Sequence, residues 1–392
     1  MQLDERQLLR VAGLELGALS FSKALPVSLE GMRIEDAGTI IYDISGEPLF
    51  RRLPLVRRRT MVGYADVAVV DAFSEPLLAV HFDSRWSESS LLRSATAALR
   101  RQNREARFDE ARFVAYSFPK IAVQFLLKKQ EVAMLELGSW ARIPESRSQQ
   151  PSEYGLQRFS LIQQGRNEGK KQIAEAFSKR IDLWDAEPLR NLDAQLISNL
   201  AWQQLDIKIK LYDRRQIHYA PRADDHSICY ELRGQQTGVW CVAASVEMIL
   251  NFYRWRYDQP RIATELNLGT CDHANGLPYG DEIKVVQTLE KLSANSLDAD
   301  MTATPTWALF RDEIREHRPL ISFVPGHSRT VAGYTESLLV LLGELPYRGL
   351  LVFDPWPPTD CDHPEAGGVI TSWENFRTTT YRHAFRAHLK HV

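Results

Sequence analysis

Apolar and polar positions change period several times along the chain, and these changes outline its elements. Residues 64–70 and 76–82 are rich in valine, alanine and leucine and flank a polar 71–75 segment, which predicts a β-hairpin. From residue 89 to about 106 the period becomes helical. Leu92, Ala95, Leu99 and Ala106 share one face and Arg93, Arg100, Arg101 and Arg104 take another. Strand character returns at 113–116, 121–127 and 131–137, with Lys128-Lys129-Gln130 as a polar turn. The first 150 residues thus read as a mixed α+β domain with one long helix. A polar stretch bracketed by Pro144 and Pro151 marks its end, and helical patterns at 169–180 and 193–205 predict a connector over 151–215.

The remaining residues, 216–392, form the second predicted domain. The pattern from Cys241 through Val242, Val246, Ile249 and Tyr253 is that of a buried helix opened by the cysteine. Thr304-Pro305 reads as an N-cap followed by proline at the first helical position, for a helix that stops before Pro319. A strand at 320–324 follows, then Pro325-Gly326-His327 and an apolar stretch at 330–334. A third short strand, 350–353, ends in Asp354-Pro355.

Composition narrows the function classes. With 48 basic against 50 acidic residues the net charge is −2, which argues against nucleic acid as a partner. Apolar runs such as 338–342 are far short of the roughly 20 residues that cross a bilayer, so no membrane partner is expected. The acidic start after Met1 lacks a secretory signal pattern, so a cytoplasmic location is expected. Four cysteines in 392 residues make no disulfide scaffold, and reduced thiols are the expectation. The arginines at 51–52 and 57–59 lack a glycine-rich or aromatic phosphate-binding context and read as solvated faces offset by Asp66, Asp71, Glu75 and Asp83.

The chemistry lies in the second domain. A thiol at a helix start meets unpaired N–H groups and the positive end of the dipole, which predicts a lowered pKa for Cys241. Gln235, six residues earlier, or Gln236, five earlier, is in place to direct an amide N–H at an oxyanion alongside the Cys241 N–H; the six-residue offset favours Gln235. His327, at a strand start downstream of the cysteine, is the candidate base, and Asp354 the group that fixes its tautomer.

In these residues the chain resembles the papain-like cysteine peptidases, in particular small bacterial branches similar to the double-glycine leader peptidases. Gln-Gln-Thr-Gly-Val-Trp-Cys241 is similar to their glutamine and cysteine motif, Gly326-His327 with Val331-Ala332-Gly333-Tyr334 to their histidine strand, and Asp354-Pro355 to their Asp-Pro turn. Trp240 precedes the cysteine and Val242 follows it, where many members have tryptophan or glycine after the nucleophile. The resemblance implies a helix-plus-antiparallel-sheet peptidase domain, a peptide or protein substrate and no cofactor. Transpeptidation from the same acyl-enzyme and an inactive peptide-binding module are the alternatives. It leaves the first 200 residues unassigned; their length and hairpins suit a permanent substrate-recruiting domain rather than a removable pro-segment. Cys271-Asp272-His273 and Cys361-Asp362-His363 invite a zinc reading, but one intervening residue is too few for the usual ligand pairs, and no metal is expected; nor is a Cys271–Cys361 disulfide, given the reducing compartment expected.

Overall fold

The fold is taken from a computed structural model, which describes residues 2–82, 86–145, 154–162, 170–185, 187, 189–205, 208–219, 230–340, 344–359, 361–362 and 369–390. The predicted boundary stretch at 144–151 falls mostly outside these residues, as do Cys229 and His363. The fold is α+β, with strands of both predicted domains in one mixed sheet.

The N-terminal part contributes a helix that the pattern concealed. Helix α1 (Glu5–Phe21) is capped by Asp4, whose side chain accepts from Gln7 N–H while Gln7 reciprocates. Nearly every residue from Leu8 to Ser20 is buried, so no polar face betrays its period. Around it stand β1 (Arg33–Ile34), β2 (Thr39–Asp43), β3 (Pro48–Arg57), β4 (Thr60–Ala68) and β5 (Leu77–His81). Then come α2 (Glu88–Gln102), β6 (Glu110–Ser117), β7 (Lys120–Leu127) and β8 (Gln130–Glu136). The expected β4–β5 hairpin pairs Tyr64 with His81. The β7–β8 turn uses Lys128 and Lys129, both with positive φ. Helix α2 ends at Gln102, short of Ala106, and buries Ala95, Ala98 and Leu99.

Helices α3 (Lys170–Trp184) and α4 (Asn199–Gln203) and strand β9 (Lys208–Gln216) lead into the second part. That part holds α5 (Cys241–Phe252), α6 (Gln259–Leu266), α7 (Ile283–Leu292), β10 (Leu297–Ala303) and α8 (Trp307–Arg315). Strands β11 (Leu320–Val324), β12 (His327–Val340), β13 (Glu344–Asp354), β14 (Ile370–Asn375) and β15 (His383–Leu389) complete it. The N-cap of α8 is Thr306, whose side chain accepts from Leu309 N–H, not the expected Thr304, which has positive φ.

The two parts are joined edge to edge. The sheet runs β10-β15-β11-β12-β13-β14-β5-β4-β3-β2-β6-β7-β8, antiparallel except for β2 with β6, and β14 pairs Ser372 with His81 of β5. A polar row crosses this seam. Arg52 donates two 2.8 Å bonds to Asp66, whose Oδ2 lies 2.9 Å from His81 Nε2, and His81 Nδ1 lies 2.7 Å from Ser372 Oγ. Arg52 is therefore buried at 4% exposure, a correction to the solvated face expected of it. A second tie joins α1, α3 and β13: buried Glu15 accepts from Arg180, Trp184 Nε1 and Tyr347 OH. Beneath the second part, α5, α6 and α7 close an apolar core over β10, β11 and β15.

Candidate active site

Cys241 opens α5, as expected, and no side chain caps that helix start. A short polar relay ties this helix to the histidine strand. Ser328 Oγ donates to Ser245 Oγ at 2.9 Å, and Ser245 Oγ donates to the Cys241 carbonyl at 2.9 Å. His327 begins β12 directly after Gly326, whose φ of +68° makes the tight turn from β11, where Val324 pairs with His327. A side chain at 326 would lie 2.2 Å from Ser117 Oγ, so glycine is required there on both counts.

Asp354 closes β13 beside this turn. Its Oδ1 lies 2.6 Å from His327 Nε2 and accepts the Trp356 N–H at 2.9 Å. The pairing leaves His327 Nδ1 buried without a hydrogen-bond partner. The Cys241 thiol feels the backbone N–H groups of Ser328, next to His327, and of Val242. Cys241, His327 and Asp354 thus converge, the cysteine and histidine at 1% and 0% exposure.

Gln235 is anchored to the loop after Asp354: its N–H donates to Pro355 O at 2.9 Å and its carbonyl accepts from Thr359 N–H at 2.8 Å. Its side-chain amide donates to Thr237 O at 2.7 Å. The backbone N–H of Gln236 donates to Gln259 Oε1 at the start of α6, at 2.9 Å.

Burial reverses one expectation. It pushes the Cys241 thiol up to about 11, although nearby Lys120 and the Ser328 and Val242 N–H groups act to lower it. The helix start is present, but loss of water costs the thiolate more than these donors return. Burial likewise lowers His327 despite the Asp354 carboxylate beside it. Asp354 itself is lowered: burial opposes this, but His327, Arg329 and the Trp356 N–H outweigh it. Both shifts act in favour of the neutral thiol and the neutral imidazole.

A second correction concerns Cys271 and Cys361, expected as reduced thiols in two separate loops. They form a disulfide with Cα atoms 6.2 Å apart. Ninety residues separate them, and the expected reducing compartment had argued against the pairing. The bond fastens the loop that clamps Gln235 and occupies both thiols of the zinc reading.

Sequence reasoning missed the N-terminal residues at this site. Ser117 Oγ donates to Pro325 O at 2.8 Å, beside the histidine turn. Tyr116 OH and Trp356 Nε1 both donate to Glu136 Oε1, at 2.6 and 3.2 Å, and Ser139 Oγ donates to Glu136 Oε2 at 2.6 Å. Lys120, fully buried, is lowered by desolvation, although Glu136 and Cys241 act to raise it. The only cue was charged residues at the ends of otherwise apolar strands, and that cue does not say which surface they meet.

Residues 227–381 match the model described as the Peptidase_C39 like family, a span that holds Gln235, Cys241, His327 and Asp354. The match is to this segment, about two fifths of the chain, which is similar to a papain-like, C39-type peptidase. No curated protein matches the chain. Among solved structures, the peptidase domain of Streptococcus ComA, a bi-functional ABC transporter, is similar at 12% identity and TM-score 0.28, over 41% of this chain and 99% of that one. UfSP from C. elegans is similar at 14% and 0.28, over 46% of this chain and 34% of that one. A double glycine motif protease from an AMS/PCAT transporter, solved in complex with the leader peptide, is similar at 15% and 0.20, over 36% and 89%.

Proposed function

We propose that the chain is a thiol peptidase in which Cys241, His327 and Asp354 carry out acyl transfer on a peptide substrate. The observation that carries this reading is the 2.6 Å pairing of His327 Nε2 with Asp354, which leaves Nδ1 free on the strand tied to the cysteine helix. Asp354 holds the proton on Nε2, so Nδ1 is the basic nitrogen. Nδ1 takes the thiol proton as Sγ attacks the carbonyl carbon; the C–N bond then breaks and Nδ1 returns the proton to the leaving amine. Water, deprotonated by the same nitrogen, hydrolyses the thioester and restores the thiol. Gln235 is the reading for the side-chain oxyanion donor, with the Cys241 N–H as its partner, since the Gln235 backbone is clamped to the loop after Asp354. A leader-type peptide is the substrate class that the C39 resemblance brings with it.

The division into 1–150, 151–215 and 216–392 belongs to this proposal as a division of labour, with chemistry in the last part. The test is product analysis by mass spectrometry with a peptide panel, for the unmodified chain and for Cys241→Ala and His327→Ala. New termini made only by the unmodified chain support the reading. An added amine appearing in the products would reassign the reaction to transpeptidation, and unchanged cleavage in His327→Ala would remove the catalytic pair.

A further inference from the structure

Residues 154–156 of the chain lie between two lips, the histidine turn and the loop that delivers Cys241. On one lip, the Gly155 N–H donates to Gly326 O at 3.2 Å, immediately before His327, and the Tyr154 N–H donates to Leu277 O at 2.8 Å. The Tyr154 ring is fully buried, stacked on Tyr279 with centroids 4.4 Å apart and tilted against Phe323 at 4.4 Å. Tyr279 OH in turn accepts the Gly326 N–H at 2.7 Å, so the tyrosine pocket and the histidine turn are one structure. The other lip is the loop that delivers Cys241. Gly155 lies against Val239, and Leu156 against Gly238.

This is the way an extended substrate is held: main-chain bonds along one wall and a pocket for a side chain. Position 155 has room for no side chain, since an added Cβ would stand 2.7 Å from Val239 Cγ1 and its φ of +152° suits glycine alone. The Gly155 carbonyl is nevertheless turned away from chemistry. Lys120 Nζ donates to it, and the Gln235 amide that would polarise it donates to Thr237 O instead.

We propose that residues 154–156 form an intramolecular strap that fills the substrate groove and keeps the enzyme latent, with Lys120 holding the Gly155 carbonyl out of the oxyanion hole. This rests on the peptidase reading of the site. It assigns the elements that precede Cys241 to closing the groove, where the sequence suggested recruitment. The burial of Cys241 and His327 follows from it, and so does the mode of activation. An occupant tethered in the same chain competes at an effective concentration on the order of millimolar, so a substrate must displace it or the strap must be drawn out by other means.

The test reads access to the thiol and needs no turnover. Iodoacetamide labelling of Cys241 is followed by peptide mapping in the full chain and in Gly155→Ala and Tyr154→Ala, with thermal melting to confirm that each is folded. Labelling about tenfold faster or more is expected in both variants, from the forced clash in one and the lost aromatic contacts in the other. A synthetic Ser-Glu-Tyr-Gly-Leu-Gln-Arg peptide added to Gly155→Ala should slow labelling again, and its Gly-to-Ala form should not. Equal labelling rates in all three proteins, or no protection by the peptide, would overturn the strap. Cleavage between Gly155 and Leu156 in the unmodified chain would overturn latency. Fast labelling of Gly155→Ala with no peptide hydrolysis would leave the strap standing and sink the peptidase reading instead.

Discussion

The titration of Cys241 is the most quantitative consequence of the geometry. Free thiols of this kind ionise near 9, and burial pushes Cys241 up to about 11. At pH 8 that difference lowers the thiolate fraction about 100-fold, from roughly one thiol in ten to one in a thousand. Because only the thiolate attacks iodoacetamide, ionisation alone predicts alkylation of Cys241 about 100-fold slower than that of a small free thiol. The rate should climb about tenfold per pH unit from about pH 7 to 9.5, with no plateau. The assay is pseudo-first-order labelling read by peptide mapping, which separates Cys241 from Cys229; Cys271 and Cys361 are paired with each other. In the folded, unmodified chain, a rate independent of pH around neutrality would show a thiolate–imidazolium pair already formed. It would refute the argument that burial outweighs the helix start.

Other consequences are open to direct measurement. His327→Ala should lower turnover about 10²–10⁴-fold, as loss of a general base does, and Asp354→Asn should retain more, because an amide still orients the ring; equal loss in both, measured as kcat/KM, would contradict that division. Burial opposes ionisation of Asp66, but Arg52 and His81 hold it at about 2, below its ordinary 3.8. A depressed carboxylate contributes stability above the unfolded pKa and loses it as pH falls through the folded one. About 2 kcal/mol should therefore be present above pH ~4 and disappear toward pH ~2, and urea midpoints of the unmodified chain and Asp66→Asn should converge over that window. Arg180→Met leaves the buried Glu15 carboxylate without its ion-pair partner and should cost about 3–5 kcal/mol in denaturant titration, whereas a loss below about 1 kcal/mol would mean that Trp184 and Tyr347 satisfy Glu15 alone.

Legibility followed the range of the interactions. The helix start at Cys241, β11 at Leu320–Val324, His327 at a strand start and Asp354 at a strand end were readable, because each rests on local period and on glycine or proline punctuation. Helix α1 escaped because burial on nearly every side removes the polar stripe that reveals a helix, although its Asp4 and Gln7 capping box was present in the sequence. The pairing of β14 with β5 sets Trp373 opposite Val80, far apart in the chain and carrying no mutual signal. The same distance hid the approach of Lys120 and Gly155 to the site, whereas the Cys271–Cys361 pair is visible in the two Cys-Asp-His copies and is disfavoured only by the expected compartment. Candidate catalytic groups are marked by their own segments, whereas what covers them is marked only by the fold.

The central claim is that Cys241, activated by His327, forms an acyl-enzyme. A peptide thioester ending in glycine, offered to the unmodified chain, Gly155→Ala and Gly155→Ala with His327→Ala, tests this by intact mass followed by peptide mapping. Acylation is predicted on Cys241, faster in Gly155→Ala than in the unmodified chain and abolished when His327 is also replaced. Acylation at Cys229, or on Cys241 at the same rate without His327, would contradict the account.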